Sequence, residues 1–362
     1  MKTAGLEGVV AAISEISLVD GNKGHLVYRG HWAKDLAISY SFEEVAYLLW
    51  YGSLPNKTEL HEFGEILKAN RRLPDYIKTI IDNLPEKMEL MSVLRTVVSA
   101  MGTEEYQWPS TTEQALSLTA VLPTVISYRY RRINGLSPIE PSDNLNHVAN
   151  FLYMLKEEQP SQSHVKALSA YLILTMEHGM NASTFTARVI ASTQSDLASA
   201  ISGAIGAMKG PLHGGAPSGV IELLDEIGSK ENAEDVLRRK LKGGERLMGF
   251  GHRVYKTQDP RAEALRTITA EFSEDDPWFS LANEVEDLAI ELLNEYKPGR
   301  KLYTNVEFYA AAILKAIDLP TELFTSAFTS SRIIGWIANV LEQNENNRII
   351  RPASEYSGPM PE

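Results

Sequence analysis

The chain predicts an all-α fold, and three observations carry that expectation. Apolar residues recur at helical spacing in one window after another from residue 42 to residue 342. Proline or glycine punctuates most of the gaps between those windows. Strand-like patterning is confined to one short stretch near the N-terminus.

That stretch comes first. Ile16 to Val19 and Leu26 to Tyr28 are apolar runs separated by Asp20-Gly21-Asn22, a strong hairpin turn signal, so residues 13–30 read as a short β-hairpin. Phe42, Val45, Ala46, Leu48 and Leu49 then mark a helix over 42–51, closed by Pro55. Further helical windows run near 58–69, 74–82, 88–101, 111–131, 143–156, 163–178, 181–193 and 196–208. The last is rich in small residues (Gly203, Ala204, Gly206, Ala207), which lets another helix approach closely, either within the chain or from a second copy. Beyond it come windows near 216–228, 232–241, 260–272, 277–295, 305–317 and 321–342. The stretch from Gly210 to Gly215 breaks the apolar pattern, and charge rises after it until about 313. This predicts a large domain from 1–213 and 314–362 and a smaller one over 214–313.

Composition narrows the classes of function. With 362 residues, 44% hydrophobic and 23% charged, the chain reads as a globular protein with a large core. No apolar run is long enough to span a membrane and no signal-peptide core is seen, so a cytoplasmic protein is expected. The absence of cysteine removes disulfides, thiolate nucleophiles and cysteine-bound metals. A net charge of −12, from 47 acidic and 35 basic residues, repels nucleic acid and acidic membranes, so neither is an expected partner. If the substrate is an anion, arginines must be gathered against this field.

Two histidines stand in glycine-rich settings. His213 lies in Gly210-Pro-Leu-His213-Gly-Gly, with Ala216-Pro217 reading as the start of the next helix. The positive end of that helix would keep the imidazole neutral and able to donate one hydrogen bond to a carbonyl oxygen; a histidine that only bonds its own loop fits as well. His252 lies in Gly249-Phe-Gly251-His252-Arg253, which fails the dinucleotide pattern because Val254 fills the last position. Asp259-Pro260 after it reads as a helix cap followed by proline at the first helical position. Arg261 then falls in a first turn, where a cation opposes the helix dipole unless an anion is near. Glu307 is a carboxylate beside an apolar run, but Thr304-Asn-Val-Glu307 also matches a capping box. His178 falls at a break between helices, capped anew at Asn181 or Ser183. Arg332 sits on an otherwise apolar helix, which is unusual for an unpaired arginine. No lipase-type elbow, zincin pair or phosphate-binding loop occurs, and no metal site is predicted.

Taken in order along the chain, several segments resemble the citrate synthase family. They include Gly5-Leu-Glu-Gly8, Tyr28-Arg-Gly-His31, Glu177-His178-Gly-Met-Asn181-Ala-Ser-Thr, Gly210-Pro-Leu-His213-Gly-Gly-Ala, Gly249-Phe-Gly-His252-Arg-Val-Tyr-Lys256 with Asp259-Pro-Arg261, Asn305-Val, and Arg351-Pro. The resemblance implies an all-helical homodimer whose smaller domain closes over the substrates. It implies condensation of acetyl-CoA with oxaloacetate, followed by hydrolysis of the citryl thioester, with the CoA thioester as substrate and no cofactor. It further implies that His213 bonds the thioester carbonyl, that His252 polarises and protonates the ketone, and that the carboxylate after Asn305-Val takes the methyl proton. His178, Arg261 and Arg332 would hold the oxaloacetate carboxylates, Arg351 would complete the partner's site, and Lys256 would contact coenzyme A. The resemblance departs at Glu307, where the family carries aspartate. One extra methylene shifts the carboxylate by roughly 1.5 Å, so activity is expected but lowered. A 2-methylcitrate synthase using propionyl-CoA is the close alternative, since one methylene gives only about 1–3 kcal/mol of discrimination. A catalytically weakened paralogue with a binding or regulatory role is the third reading.

Overall fold

A computed structural model describes residues 4–6, 8–214, 218–252, 254–274, 276–300 and 302–361. The described chain is helical apart from one small sheet. After a short 3-10 turn at Ala4–Leu6 come β1 (Ser17–Asp20), β2 (His25–Tyr28) and β3 (His31–Trp32). The helices of the first half are α1 (Ala33–Ser39), α2 (Phe42–Tyr51), α3 (Lys57–Ala69), α4 (Asp75–Asn83), α5 (Leu90–Ala100), α6 (Thr112–Ile133), α7 (His147–Lys156), α8 (Gln162–Thr175), α9 (Ala182–Ser192) and α10 (Leu197–Met208). Those of the second half are α11 (Ser218–Ile227), α12 (Lys230–Lys242), α13 (Pro260–Glu271), α14 (Pro277–Tyr296), α15 (Val306–Ala316) and α16 (Phe324–Glu345). Among the described residues no helix is long and apolar enough to cross a membrane.

The predicted hairpin is present as the antiparallel pair Ser17↔Tyr28 to Asp20↔His25. A third strand, two residues long, was not expected, and neither was α1, whose N-cap residue Trp32 makes no side-chain cap. Both are too short to leave a periodic signal. The hairpin turn has a structural task. A Cβ on Gly21 would lie 2.1 Å from the carbonyl oxygen of Val254, and the Gly21 carbonyl accepts the Lys256 N–H at 2.8 Å. The turn therefore braces the loop that follows His252.

The small-residue helix α10 packs against α9, α5 and α16. A Cβ on Gly203 would meet Ile190 of α9 at 2.2 Å, so this glycine serves an internal contact. α16 runs through the core beside α2, α6, α8, α9 and α10, with Trp336 fully buried and Trp50 donating to the Ile334 carbonyl at 3.0 Å. α12, α14, α11 and α15 pack on one another, while α13 and α15 also lie on α8 and α13 lies on α1. The core is continuous across this junction.

Candidate active site

A cavity of about 420 Å³ opens at that junction, lined by His178, His213, His252, Arg261, Glu307 and Arg332 with Tyr171, Asn181, Leu212, Phe324 and Phe328 among their neighbours. Six of the eight residues singled out from the sequence thus meet in one cleft. Arg351 lies in the exposed segment after α16 and does not line it. Lys256 is exposed on the loop after His252 and does not line it either.

His213 is half-buried just beyond α10. The helix start read at Ala216-Pro217 lies outside the described residues. The helix end that His213 meets is that of α9: the Ser183 backbone N–H donates to Nε2 at 3.3 Å, and the Ser183 hydroxyl lies 2.6 Å from the same nitrogen. A backbone N–H can only donate, so Nε2 keeps its lone pair and Nδ1 carries the proton. Burial, then the Arg332 charge, lowers the pKa of His213 and keeps the ring neutral. The Ser183 hydroxyl is itself fixed by the Trp336 indole N–H at 2.9 Å. Gly214 permits close packing against the Met208 carbonyl, which a Cβ would meet at 2.2 Å.

His252 has the opposite tautomer. Its Nδ1 accepts the backbone N–H groups of Val254 and Tyr255, both at 3.0 Å, so Nε2 carries the proton. Burial and then Arg261 lower its pKa to about 4. The loop is strapped to the start of α15: Gly251 N–H donates to the Tyr303 carbonyl at 2.6 Å, and Asn305 donates from its N–H to Gly249 O and from its side chain to Gly251 O. Gly249 and Gly251 have φ of 88° and 87°, and a Cβ on Gly249 would press on Phe308 at 2.9 Å. The glycines beside both histidines therefore serve close approach of the chain to itself.

Arg261 is 6% exposed and sits in the first turn of α13 as expected, with Asp259 as cap and Pro260 first in the helix. The anion inferred from its position is Asp259, whose oxygens take Arg261 Nε at 3.0 Å and Nη2 at 2.9 Å. Burial lowers the pKa of Arg261 and Asp259 more than reverses this. Asp259 also accepts the Val306 N–H at 3.1 Å, so one carboxylate ties α13 to α15. In the sequence Asp259 is legible only as a cap. The sharing with α15 is a tertiary contact that no local pattern announces.

Glu307 is not part of a capping box. Asn305 caps α15 by accepting the Glu307 N–H at 3.0 Å, while the Thr304 hydroxyl is buried without a partner. The cap begins one residue later than the motif suggested, which leaves the Glu307 carboxylate pointing into the cleft rather than back to the chain. It is exposed to the open cleft, yet the surrounding protein raises its pKa, with Arg261 and Arg246 pulling the other way.

His178 stands in the break between α8, which ends at Thr175, and α9, capped by Asn181. Its Nε2 lies 3.1 Å from the Tyr255 hydroxyl. Burial and the charges of Arg261 and Arg332 hold its pKa well below the usual value. Tyr255, buried and stacked edge-on to His178, was missed by the sequence reading because a tyrosine in a helix-poor loop carries no signal of its own. Arg332 is 3% exposed, donates from Nε to the Thr175 carbonyl at 2.7 Å and lies over the Phe328 ring. Among the described residues no ion pair of its terminal nitrogens with a carboxylate is seen, and its N–H edge lines the cavity.

A second cavity of about 390 Å³ adjoins the first at His252 and is lined by Arg246, Lys297 and Arg300 with Phe250, Leu247 and Leu302. Lys256 does not line it. Three cations beside an apolar wall suit an anion carrying an apolar group.

A mainly helical protein whose cleft gathers histidines of opposite tautomer, a carboxylate and two buried arginines has the groups that an acid–base enzyme for carboxylate-bearing substrates needs. Comparison with known proteins gives the family. Residues 5–353 match the family described as "Citrate synthase, C-terminal domain". The chain is 41% identical to "Citrate synthase 2" of Bacillus subtilis, over 99% of this chain and 96% of that protein. It is 40% identical to a 2-methylcitrate synthase of Shewanella oneidensis, over 99% and 95%. Citrate synthase of Thermoplasma acidophilum, solved as a ternary complex with carboxymethyl coenzyme A and oxaloacetate, superposes with a TM-score of 0.86 at 31% identity, covering 99% of this chain and 97% of that one. The chain belongs to the citrate synthase family and is an enzyme of the acyltransferase type.

Proposed function

We propose that the cleft condenses acetyl-CoA with oxaloacetate and water to give citrate and free CoA, the entry reaction of the tricarboxylic acid cycle. The observation that carries this reading is the pair of tautomers: His213 offers Nδ1–H and His252 offers Nε2–H, with a free carboxylate at Glu307. Glu307 removes a proton from the thioester methyl while His213 donates a hydrogen bond to the thioester oxygen, giving an enolate held by that bond. His252 donates to the ketone oxygen of oxaloacetate, and the enolate carbon attacks the ketone carbon as the thioester carbonyl re-forms. The new alkoxide takes the His252 Nε2 proton, forming citryl-CoA, and the proton held by Glu307 returns through solvent to His252. Water then adds to the thioester carbonyl and the thiolate leaves with a proton from that water, giving citrate and CoA. Arg261, Arg332 and His178 hold the two carboxylates of oxaloacetate.

Several features support the assembly around this step. His178, His213 and Arg332 come from the segments 1–213 and 314–362, whereas His252, Arg261 and Glu307 come from 214–313. We read these as the large and small domains, which close on the substrates. Arg246, Lys297 and Arg300 are better placed than Lys256 for the phosphates of coenzyme A. Exposed apolar residues on the terminal segments (Val10, Ile13, Ile349, Tyr356) favour a homodimer, in which Arg351 completes the partner's site. Propionyl-CoA is the second reading, favoured by relatives of near-equal identity that carry the name 2-methylcitrate synthase.

The test is thiol release from acetyl-CoA and propionyl-CoA, with and without oxaloacetate, followed with a thiol dye. The chain has no cysteine to react. Oxaloacetate-dependent release supports the reading, and the ratio of turnovers names the acyl donor. Binding of oxaloacetate without release of thiol from either would replace it with a binding role.

A further inference from the structure

Glu177 is a carboxylate the reaction above does not use. It is 1% exposed, on the chain between α8 and α9. Its Oε1 accepts the Ser17 hydroxyl of β1 at 3.1 Å, and its Oε2 accepts the Asn339 amide of α16 at 3.0 Å. The nearby backbone N–H groups of Gly179 and His178 oppose the rise that burial gives its pKa, and the Glu177 carbonyl accepts the Tyr28 hydroxyl at 2.8 Å. One side-chain donor on each oxygen favours a residue with two acceptors; glutamine would present a donor to one of them.

The packing around it is close. A Cβ on Gly335 of α16 would lie 2.5 Å from Oε2 and 2.3 Å from the Met176 carbonyl. Arg332 stands about two turns before Asn339 on the same helix, and its Nε bonds the Thr175 carbonyl on the segment that leads to Glu177. Burial raises the Glu177 pKa, and the Arg332 charge opposes that rise. One carboxylate therefore joins β1, the turn that presents His178, and the helix that presents Arg332.

We propose that Glu177 is a positioning residue for the oxaloacetate half of the site: it fixes His178 through the backbone of its turn and Arg332 through Asn339, so that both face the same dicarboxylate. This rests on the reaction proposed above. A carboxylate needed only for folding would affect both substrates alike. A positioning role confines its effect to one.

The experiment compares Glu177→Gln and Ser17→Ala with the parent in steady-state kinetics for both substrates, in thermal melts, and in calorimetric titration with oxaloacetate alone. Glu177→Gln is expected to raise KM and Kd for oxaloacetate roughly 10-fold or more, as loosening one charge-assisted contact would. KM for acetyl-CoA should stay within about 2-fold, and kcat should fall less than the oxaloacetate KM rises. Ser17→Ala should shift the oxaloacetate constants in the same direction by less. Equal changes in both KM values, or a lowered melting temperature with unchanged constants, would overturn the proposal. If Glu177→Gln does not fold, an unchanged oxaloacetate KM in Ser17→Ala overturns it. Parent protein that binds oxaloacetate without releasing thiol defeats the proposed reaction while calorimetry still reads Glu177; parent protein that does neither defeats both.

Discussion

The Nε2 of His252 lies 3.2 Å from a terminal nitrogen of Arg261, and both are donors. Two backbone N–H groups occupy Nδ1 of His252, so its proton must be on Nε2. Arg261 is held in turn by Asp259 on two of its nitrogens. Two fixed donors this close are satisfied together by one substrate bearing a ketone oxygen beside a carboxylate. Oxaloacetate has that arrangement. Asp259 and the two backbone N–H groups hold both donors in place, and such pre-ordering lowers the cost of binding.

Asp259 is the anchor of that alignment, because it also accepts the Val306 N–H beside Glu307. Asp259→Asn keeps a capping side chain but leaves the buried Arg261 charge uncompensated. A stability loss of about 3–5 kcal/mol is expected, the usual cost of breaking a buried ion pair on one side. Urea denaturation measures it. The oxaloacetate KM should rise alongside; an unchanged urea midpoint would show that Asp259 does not carry the pair.

The Ser183 backbone N–H fixes the tautomer of His213, and the Ser183 hydroxyl packs on the same nitrogen and accepts the Trp336 indole N–H. Ser183→Ala removes the hydroxyl and leaves a buried donor without a partner. A fall in kcat of roughly 10-fold is expected, less than the ~10²–10⁴-fold that an acid–base group contributes outright, with the oxaloacetate KM nearly unchanged. Nitrogen-15 NMR of labelled histidine reads the tautomer directly. The Nδ1–H form should persist in the variant, because the backbone N–H remains; its loss would show that the hydroxyl sets the tautomer.

What the sequence made legible depended on how local each signal was. Asp259-Pro260 and Asn181 are caps set by neighbouring residues, and both hold. The Glu307 capping box failed by one position, because the competing cap, Asn305, is equally local and is tied to the Gly251 carbonyl across the cleft. That cross-loop bond is invisible to spacing. The same limit hid Glu177 and Tyr255, whose partners are 160 and 77 positions away in sequence. The six residues lining the cleft were found because their glycine-rich or apolar surroundings make each of them unusual where it stands.

The cationic cavity at Arg246, Lys297 and Arg300 should govern coenzyme A binding. Arg300 is exposed, so its contribution is modest and screened by salt. Arg300→Ala is expected to raise the acyl-CoA KM roughly 2- to 5-fold, in line with an exposed ion pair, and to weaken the dependence of that KM on ionic strength. The oxaloacetate KM should not move. A change confined to oxaloacetate would place the phosphates elsewhere.

Glu307 supplies the sharpest test, because its chemistry and its reach separate. As a base it acts when ionised, and its surroundings raise its pKa. Turnover should therefore be full above that raised pKa and fall as pH drops through it. His252, with a pKa lowered to about 4, stays neutral over the same range, and burial moves any limb from His213 below the usual histidine value. Glu307→Gln should cut kcat by at least 10²-fold, as loss of a general base does. Glu307→Asp keeps the base but withdraws it by one methylene from its fixed place in the first turn of α15. If the longer side chain overshoots the methyl carbon, the aspartate variant turns over faster, by up to about 10² where geometry is tight, and its acid limb moves to lower pH. A pH profile of kcat from 5 to 9 for the three proteins checks each part. A slower aspartate variant would show that the α15 backbone is already fitted to glutamate.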